Sequence, residues 1–240
     1  MHIPKSHPRY HSLILREKIA DGVRKGIVHE TGMIAHGRGE AFDYLLGEKT
    51  IPPADAAACA AAYYIKKANN PVISVNGNVA ILAGRECIEL AEVTGAKIEV
   101  NLFHRTEERV KKIIKFLEEQ GGKSILGENA EEKIPGLAHD RGKCCKEGIY
   151  NADVVLVPLE DGDRCEALKK MGKLVITIDL NPLSRTARNA DVTIVDNVVR
   201  AIPNIKRHFE EEMVKIKKWD NKKCLQDCLT YICNLLTSFY

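Results

Sequence analysis

Along much of the chain, acidic, amide and guanidinium side chains gather in short bursts at the ends of short apolar runs. Asn76-Gly77-Asn78 follows the run 71–75, and Asn101-Leu102-Phe103-His104-Arg105-Thr106-Glu107-Glu108-Arg109 closes the run 97–102. Pro158-Leu159-Glu160-Asp161-Gly162-Asp163-Arg164 follows 154–157, Asp179-Leu180-Asn181-Pro182-Leu183-Ser184-Arg185-Thr186 follows 174–178, and Asp196-Asn197 follows 192–195. Carboxylates, side-chain amides and forked guanidinium donors together suit a polyanion, with a divalent cation such as Mg²⁺ beside it. Helices starting at Thr106, Asp163 and Ser184 would add backbone N–H groups aimed at phosphate. Plain N-capping explains any one of these three residues. It does not explain five clusters at five run ends.

Runs this short and this rich in Val and Ile, separated by helical stretches, predict parallel βαβ units covered on both faces. The runs are 71–75, 97–102, 124–126, 154–157, 174–178 and 192–195, with helices near 80–94, 106–120, 163–171, 184–189 and 197–218. The fold class is therefore α/β: a Rossmann-like, doubly wound, mostly parallel sheet. Ligands of such sheets bind beyond the carboxyl ends of the strands, which is where the clusters fall. Residues 1–70 read as a helical N-terminal extension: a helix over 8–27, a loop-like passage over 31–40, then the alanine-rich helix around 54–64. Residues 71–218 are the nucleotide-binding core, and 219–240 a tail ending in an apolar helix suited to packing or dimer contact. The glycine-bearing stretch 127–149 reads as irregular and as a mobile flap.

Composition removes other classes. The 240 residues carry 36 basic and 33 acidic side chains, a formal charge of +3 with the basic residues dispersed, which argues against nucleic acid. The N-terminal residues lack the apolar core of a signal peptide, and no run approaches the roughly 18 apolar residues that span a bilayer. A cytoplasmic enzyme is expected. Eight cysteines in such a chain do not build a disulfide framework, and Cys224, Cys228 and Cys233 read as packed thiols rather than a metal site. Gly122-Lys123-Ser124 mimics the end of a phosphate loop but has Leu117 where that motif needs glycine, and Gly37-Arg38-Gly39 lacks the third glycine of a dinucleotide fingerprint.

The same residues resemble a known family, the archaeal phosphopantothenate synthetases, or 4-phosphopantoate–β-alanine ligases. The matching strings are Ile3-Pro4-Lys5-Ser6-His7-Pro8-Arg9-Tyr10, the segment 34–48 with Ala35-His36-Gly37-Arg38-Gly39-Glu40 at its core, Ser74-Val75-Asn76-Gly77-Asn78 and 99–106. Further on come 157–164, 178–188, Val195-Asp196-Asn197 and Arg200-Ala201-Ile202-Pro203, so the likeness covers about residues 3–218.

The resemblance implies a homodimer that consumes ATP, releases AMP and diphosphate, and makes 4-phosphopantothenate for coenzyme A. ATP contacts are implied at Arg16, Arg38, Asp179, Leu180, Asn181, Arg185, Thr186 and Asn197. Arg16 and Arg38 lie outside the core and must be brought in by the N-terminal extension or by a partner subunit. Within this picture Arg38 and Arg185 offset triphosphate charge, Asp161 or Asp163 holds Mg²⁺, and Asn76, Asn101, His104 and Arg105 receive 4-phosphopantoate, with β-alanine as the second organic substrate. A small-molecule kinase and a nucleotide-sensing binding protein are the competing readings.

Overall fold

The computed structural model describes residues 3–211, 216 and 218–238. Among them the strands are β1 (Pro71–Val75), β2 (Lys97–Val100), β3 (Glu132–Lys133), β4 (Lys143–Cys144), β5 (Val154–Pro158), β6 (Leu174–Ile178) and β7 (Val192–Ile194). Five of these form one parallel sheet ordered β2-β1-β5-β6-β7, while β3 and β4 pair antiparallel as a small ribbon. The helices are α1 (Tyr10–Arg24), α2 (Glu30–Leu46), α3 (Pro52–Lys67), α4 (Gly77–Thr94), α5 (Glu107–Glu118), α6 (Gly162–Lys170), α7 (Arg185–Asn189), α8 (Val198–Glu210) and α9 (Asn221–Thr237).

The strands of the parallel sheet are largely apolar because both faces of the sheet are covered, and the polar residues they do carry, Ser74, Glu99, Thr177 and Thr193, are buried. Ile73 of β1, Leu156 of β5 and Ile176 of β6 belong to the larger core, shared with helices α1, α3, α4, α5, α8 and α9. Their neighbours Val72, Val155 and Val175 belong to a second core, with Cys165 and Leu168 of α6 and with Ile134, Leu137 and Ile149. Strand side chains alternate between faces, so β1, β5 and β6 each feed both cores. α1, α3 and α9 share the larger core with the sheet.

Four expectations are corrected. The passage 31–40 is not a loop but the first two-thirds of α2, which begins at the N-cap His29 and ends at Gly47 in the left-handed region. Its glycines each weaken a helix by about 1 kcal/mol relative to alanine, and tertiary packing overrides that. A Cβ on Gly32 would lie 2.4 Å from Asn78 Oδ1, and Asn78 Nδ2 donates to Gly32 O at 2.8 Å. The run 124–126 is no strand: it makes only a parallel bridge from Leu126 to Glu99. The stretch 127–149 is no free flap. Ile134, Leu137, Cys144 and Ile149 are buried in the second core, and Glu99 accepts from the N–H groups of Cys145 and Ile149 at 3.0 and 2.7 Å. The helix drawn to 218 ends at Glu210, and the rest of that prediction falls largely outside the described residues.

The tail covers the sheet edge. β7 is an edge strand, and Asn221 at the start of α9 accepts from Thr193 N at 2.8 Å and donates to Ala187 O and Ala190 O. Capping an edge in this way removes a template for strand addition.

Candidate active site

Taken in chain order, the five sheet strands run 2-1-3-4-5, so the winding direction reverses between β1 and β5. A crevice must open at that reversal, beyond the carboxyl ends of the two strands. A cavity of about 400 Å³ lies there, bordered by Asn76 and Gly77 after β1 and by Leu159 and Asp161 after β5. That volume is in the range of small-molecule sites. Leu159 turns the chain with φ of 54°, a left-handed conformation that a leucine adopts only under local constraint.

Asn76 bridges the crevice. Its Oδ1 caps α4 by accepting from Val79 N at 3.1 Å, and its Nδ2 donates to Leu159 O at 3.1 Å and Pro158 O at 3.3 Å. Gly77 follows because nothing larger fits: a Cβ would stand 2.2 Å from Ile27 O and 2.8 Å from Arg109 Nη2.

α2 forms the opposite wall with His36, Arg38 and Glu40, of which His36 and Glu40 stand one turn apart on the same helix face. Arg38 is exposed and makes no hydrogen bond among the described residues. Arg16 does not border the cavity; it reaches the wall through Glu40, 2.7 Å from Arg16 Nε. Burial works to raise the Glu40 carboxyl, yet Arg16 and Tyr44 outweigh it and hold Glu40 below the usual carboxylate range. Burial pushes the His36 imidazole down, and its Nε2 is sealed without a partner.

From the β2 side come Phe103, His104 and Arg109. His104 stacks on His29 with ring centroids 3.9 Å apart, joining the β2 loop to the start of α2. Arg109 locks the same corner, donating to Ile27 O through Nε and Nη2 and to His104 O through Nη1. Arg105 turns away, donating to Gly127 O and Glu128 O, and Asn101 is buried with its Nδ2 on Lys143 O at 2.9 Å. Neither borders the cavity.

After β5, Glu160 is sealed between two arginines: Oε1 accepts from Arg141 Nε at 2.7 Å, and Oε2 from Arg164 Nη1. Burial would raise Glu160, but Arg141 and Arg164 outweigh it and keep it ionised below the ordinary carboxylate range. Arg141 and Asp161 both border the cavity, 3.5 Å apart from Nε to Oδ2. Asp163 does not; it pairs with His139 at 2.9 Å.

Past β6, only Leu180 of Asp179, Leu180 and Asn181 borders the cavity. Asp179 is occupied in shaping its loop, accepting from Asn181 N and from the Ser184 hydroxyl. Thr186 is buried and donates to Glu160 O at 2.8 Å, while Arg185 lies on the surface, 3.0 Å from Glu166. Past β7, Asn197 borders the cavity, held by its Nδ2 on Asp43 Oδ2 at 2.9 Å, and Arg200 ties Asp43 to Asp196.

The structure thus brings Arg38, Asn76, His104, Asp161, Leu180 and Asn197 to one cavity and leaves Arg16, Asn101, Arg105, Asp163, Asp179, Asn181, Arg185 and Thr186 off its wall. Sequence reasoning missed Arg141 and His36 as wall residues. His36 sat inside a matching motif; Arg141, in the irregular stretch, carried no signal.

The family described as phosphopantothenate/pantothenate synthetase matches residues 53–235. The chain belongs to that family. Among similar proteins, this synthetase is 56% identical over 246 aligned positions to a protein of Thermococcus kodakarensis, covering 99% of this chain and 94% of the relative. It is 56% identical to one of Thermococcus onnurineus, covering 98% and 94%, and 53% identical to one of Methanosarcina mazei, covering 96% and 94%. All three relatives are named 4-phosphopantoate–β-alanine ligase. Among the described residues no helix of this synthetase is long and apolar enough to cross a membrane, and no group of three His, Cys, Asp or Glu forms a metal cage.

Proposed function

We propose that this synthetase joins 4-phosphopantoate to β-alanine, with ATP converted to AMP and diphosphate. The observation that carries this reading is the continuity of the cavity. Leu180 and Asn197 border its β6–β7 end and His104 and Arg109 its β1–β2 end. Strands about 4.8 Å apart put those ends on the order of 10–19 Å from each other. That length admits a nucleotide and a second acid end to end. The names of the near full-length relatives support the same reading.

The reaction balances in two steps. A carboxylate oxygen of phosphopantoate attacks the α-phosphorus of ATP, the bond to the departing diphosphate breaks, and an acyl adenylate forms. The β-alanine amine then attacks the acyl carbon, the bond to the AMP oxygen breaks, and the amine loses a proton. No covalent protein nucleophile is needed, so the chain contributes position and charge. Arg38 from α2 would offset triphosphate charge, and the N-terminal residues Gly77 and Asn78 of α4 and Val198 of α8 border the cavity, where helix N-termini favour phosphate. Asp161, about half-exposed on the wall, is a suitable single carboxylate for Mg²⁺, which keeps most of its ligands as water and phosphate oxygen. We also propose a cytoplasmic homodimer; light scattering of the purified protein tests the dimer.

Incubation with ATP, 4-phosphopantoate and β-alanine tests the reaction. Multiple turnover to AMP and diphosphate should appear only when both acids are present, while phosphopantoate without β-alanine should release no more than one diphosphate per site. ADP instead of AMP would establish a kinase, and the absence of turnover a nucleotide sensor.

A further inference from the structure

Several residues expected to touch ligand instead hold one short turn, Asp140–Gly142, in place. Asn101, beyond β2, donates to Lys143 O at 2.9 Å on one side of it. Asp163, beyond β5, meets His139 at 2.9 Å on the other. Glu160 takes the Nε of Arg141 itself, and Arg164 fixes Glu160 from behind. Phe103 lies against His139 with ring centroids 5.1 Å apart. Contacts from two strand ends therefore set one guanidinium at the cavity wall.

Only Nε of that guanidinium is engaged. Among the described residues Nη1 and Nη2 of Arg141 make no hydrogen bond, and neither is a sealed atom. A 7% exposed arginine with two parallel donors left open onto a cavity is pre-organised for a phosphate or carboxylate. Burial and, after it, the nearby Arg141 lower the Arg109 pKa, while Glu160, Asp161 and Asp163 face Arg141 and hold it protonated.

We infer that Arg141 binds the anionic group of the non-nucleotide substrate, a phosphate monoester acid, with Asn101, Glu160 and Asp163 as positioning residues. The inference rests on the ligase reading above. It favours that substrate over the triphosphate because the turn is anchored from β2 and β5, whereas the implied nucleotide contacts Leu180 and Asn197 lie past β6 and β7. It also moves the second anion site from Arg105, which does not border the cavity and whose Nη2 donates to Gly127 O and Glu128 O, to Arg141.

Arg141→Lys keeps a cation against Glu160 but loses the fork. Its KM for 4-phosphopantoate should rise by about tenfold or more, corresponding to about 1.4 kcal/mol, with the KM for ATP changed less than about twofold. Asn101→Ala, which loosens the turn without touching the arginine pair, should raise the same KM by a smaller factor and leaves a second reading if the lysine variant does not fold. Wild-type turnover with an unaltered phosphopantoate KM in both variants, or an equal rise in the ATP KM, overturns the inference. Absence of wild-type turnover overturns the ligase reading and this inference with it.

Discussion

Replacing Glu160 with glutamine removes the one negative charge between two buried arginines. In the folded chain Glu160 is 1% exposed, Arg164 0% and Arg141 7%, so water cannot take over its role. Glu160 accepts one bond from each guanidinium and a third from Asp161 N at 2.8 Å. Glutamine keeps the shape but leaves two cations facing a neutral amide, and breaking a buried pair this way costs roughly 3–5 kcal/mol. Chains of this size lose about 2–4 °C of midpoint per kcal/mol, so thermal unfolding should shift down by roughly 6–20 °C. Calorimetry or circular dichroism would measure it. A shift under about 2 °C, less than 1 kcal/mol, would falsify the idea that Glu160 neutralises sealed charge. The variant should also lose a pH signature. Glu160 is held below its unfolded value, near 4.3, so its stabilisation is complete above that pH and disappears as pH falls through the lower folded value. Wild type should therefore soften more steeply in acid than Glu160→Gln.

Gly77→Ala should destabilise the chain by about 1–3 kcal/mol, because the added Cβ displaces the Arg109 bonds to Ile27 O; urea midpoints that match wild type would show the corner to be loose. Arg185→Ala should leave the midpoint within about 1 kcal/mol, as an exposed pair with Glu166 contributes little, and should cut turnover sharply if Arg185 closes on the triphosphate; near-normal kinetics remove it from the site. His36 is held down by burial, and His104 by burial, His29 and Arg109. The unfolded chain then takes up protons below about pH 6.5 that the folded chain resists. Stability should fall as pH drops below about 6.5, and His36→Gln should flatten that slope in urea titrations followed across pH.

Much of this protein was legible in its residues. Runs such as Pro71–Val75 and Leu174–Ile178 announce doubly covered parallel strands because burial on both faces favours apolar side chains at nearly every position. Thr106 and Ser184 announce helix starts because their hydroxyls cap the local backbone, accepting from Arg109 N and Ala187 N. Such signals are carried by neighbours in sequence. α2 was hidden because Gly32 and Gly39 oppose helix locally, and only the close approach of Asn78 explains the choice of glycine at 32.

The sequence by itself determined which loops emerge on the ligand side of the sheet, since strand period and crossover handedness fix that direction. Tertiary structure decided which of their side chains reach the cavity. Asn101, Arg105, Asp163 and Asp179 each sit at a strand end, yet each satisfies a buried or turning partner nearby before it can meet a ligand. Arg141 reaches the wall because Glu160, more or less sealed from water, requires a second cation. A burst of polar residues states where the chemistry is housed; desolvation and hydrogen-bond satisfaction across distant segments choose which of them remain free to perform it.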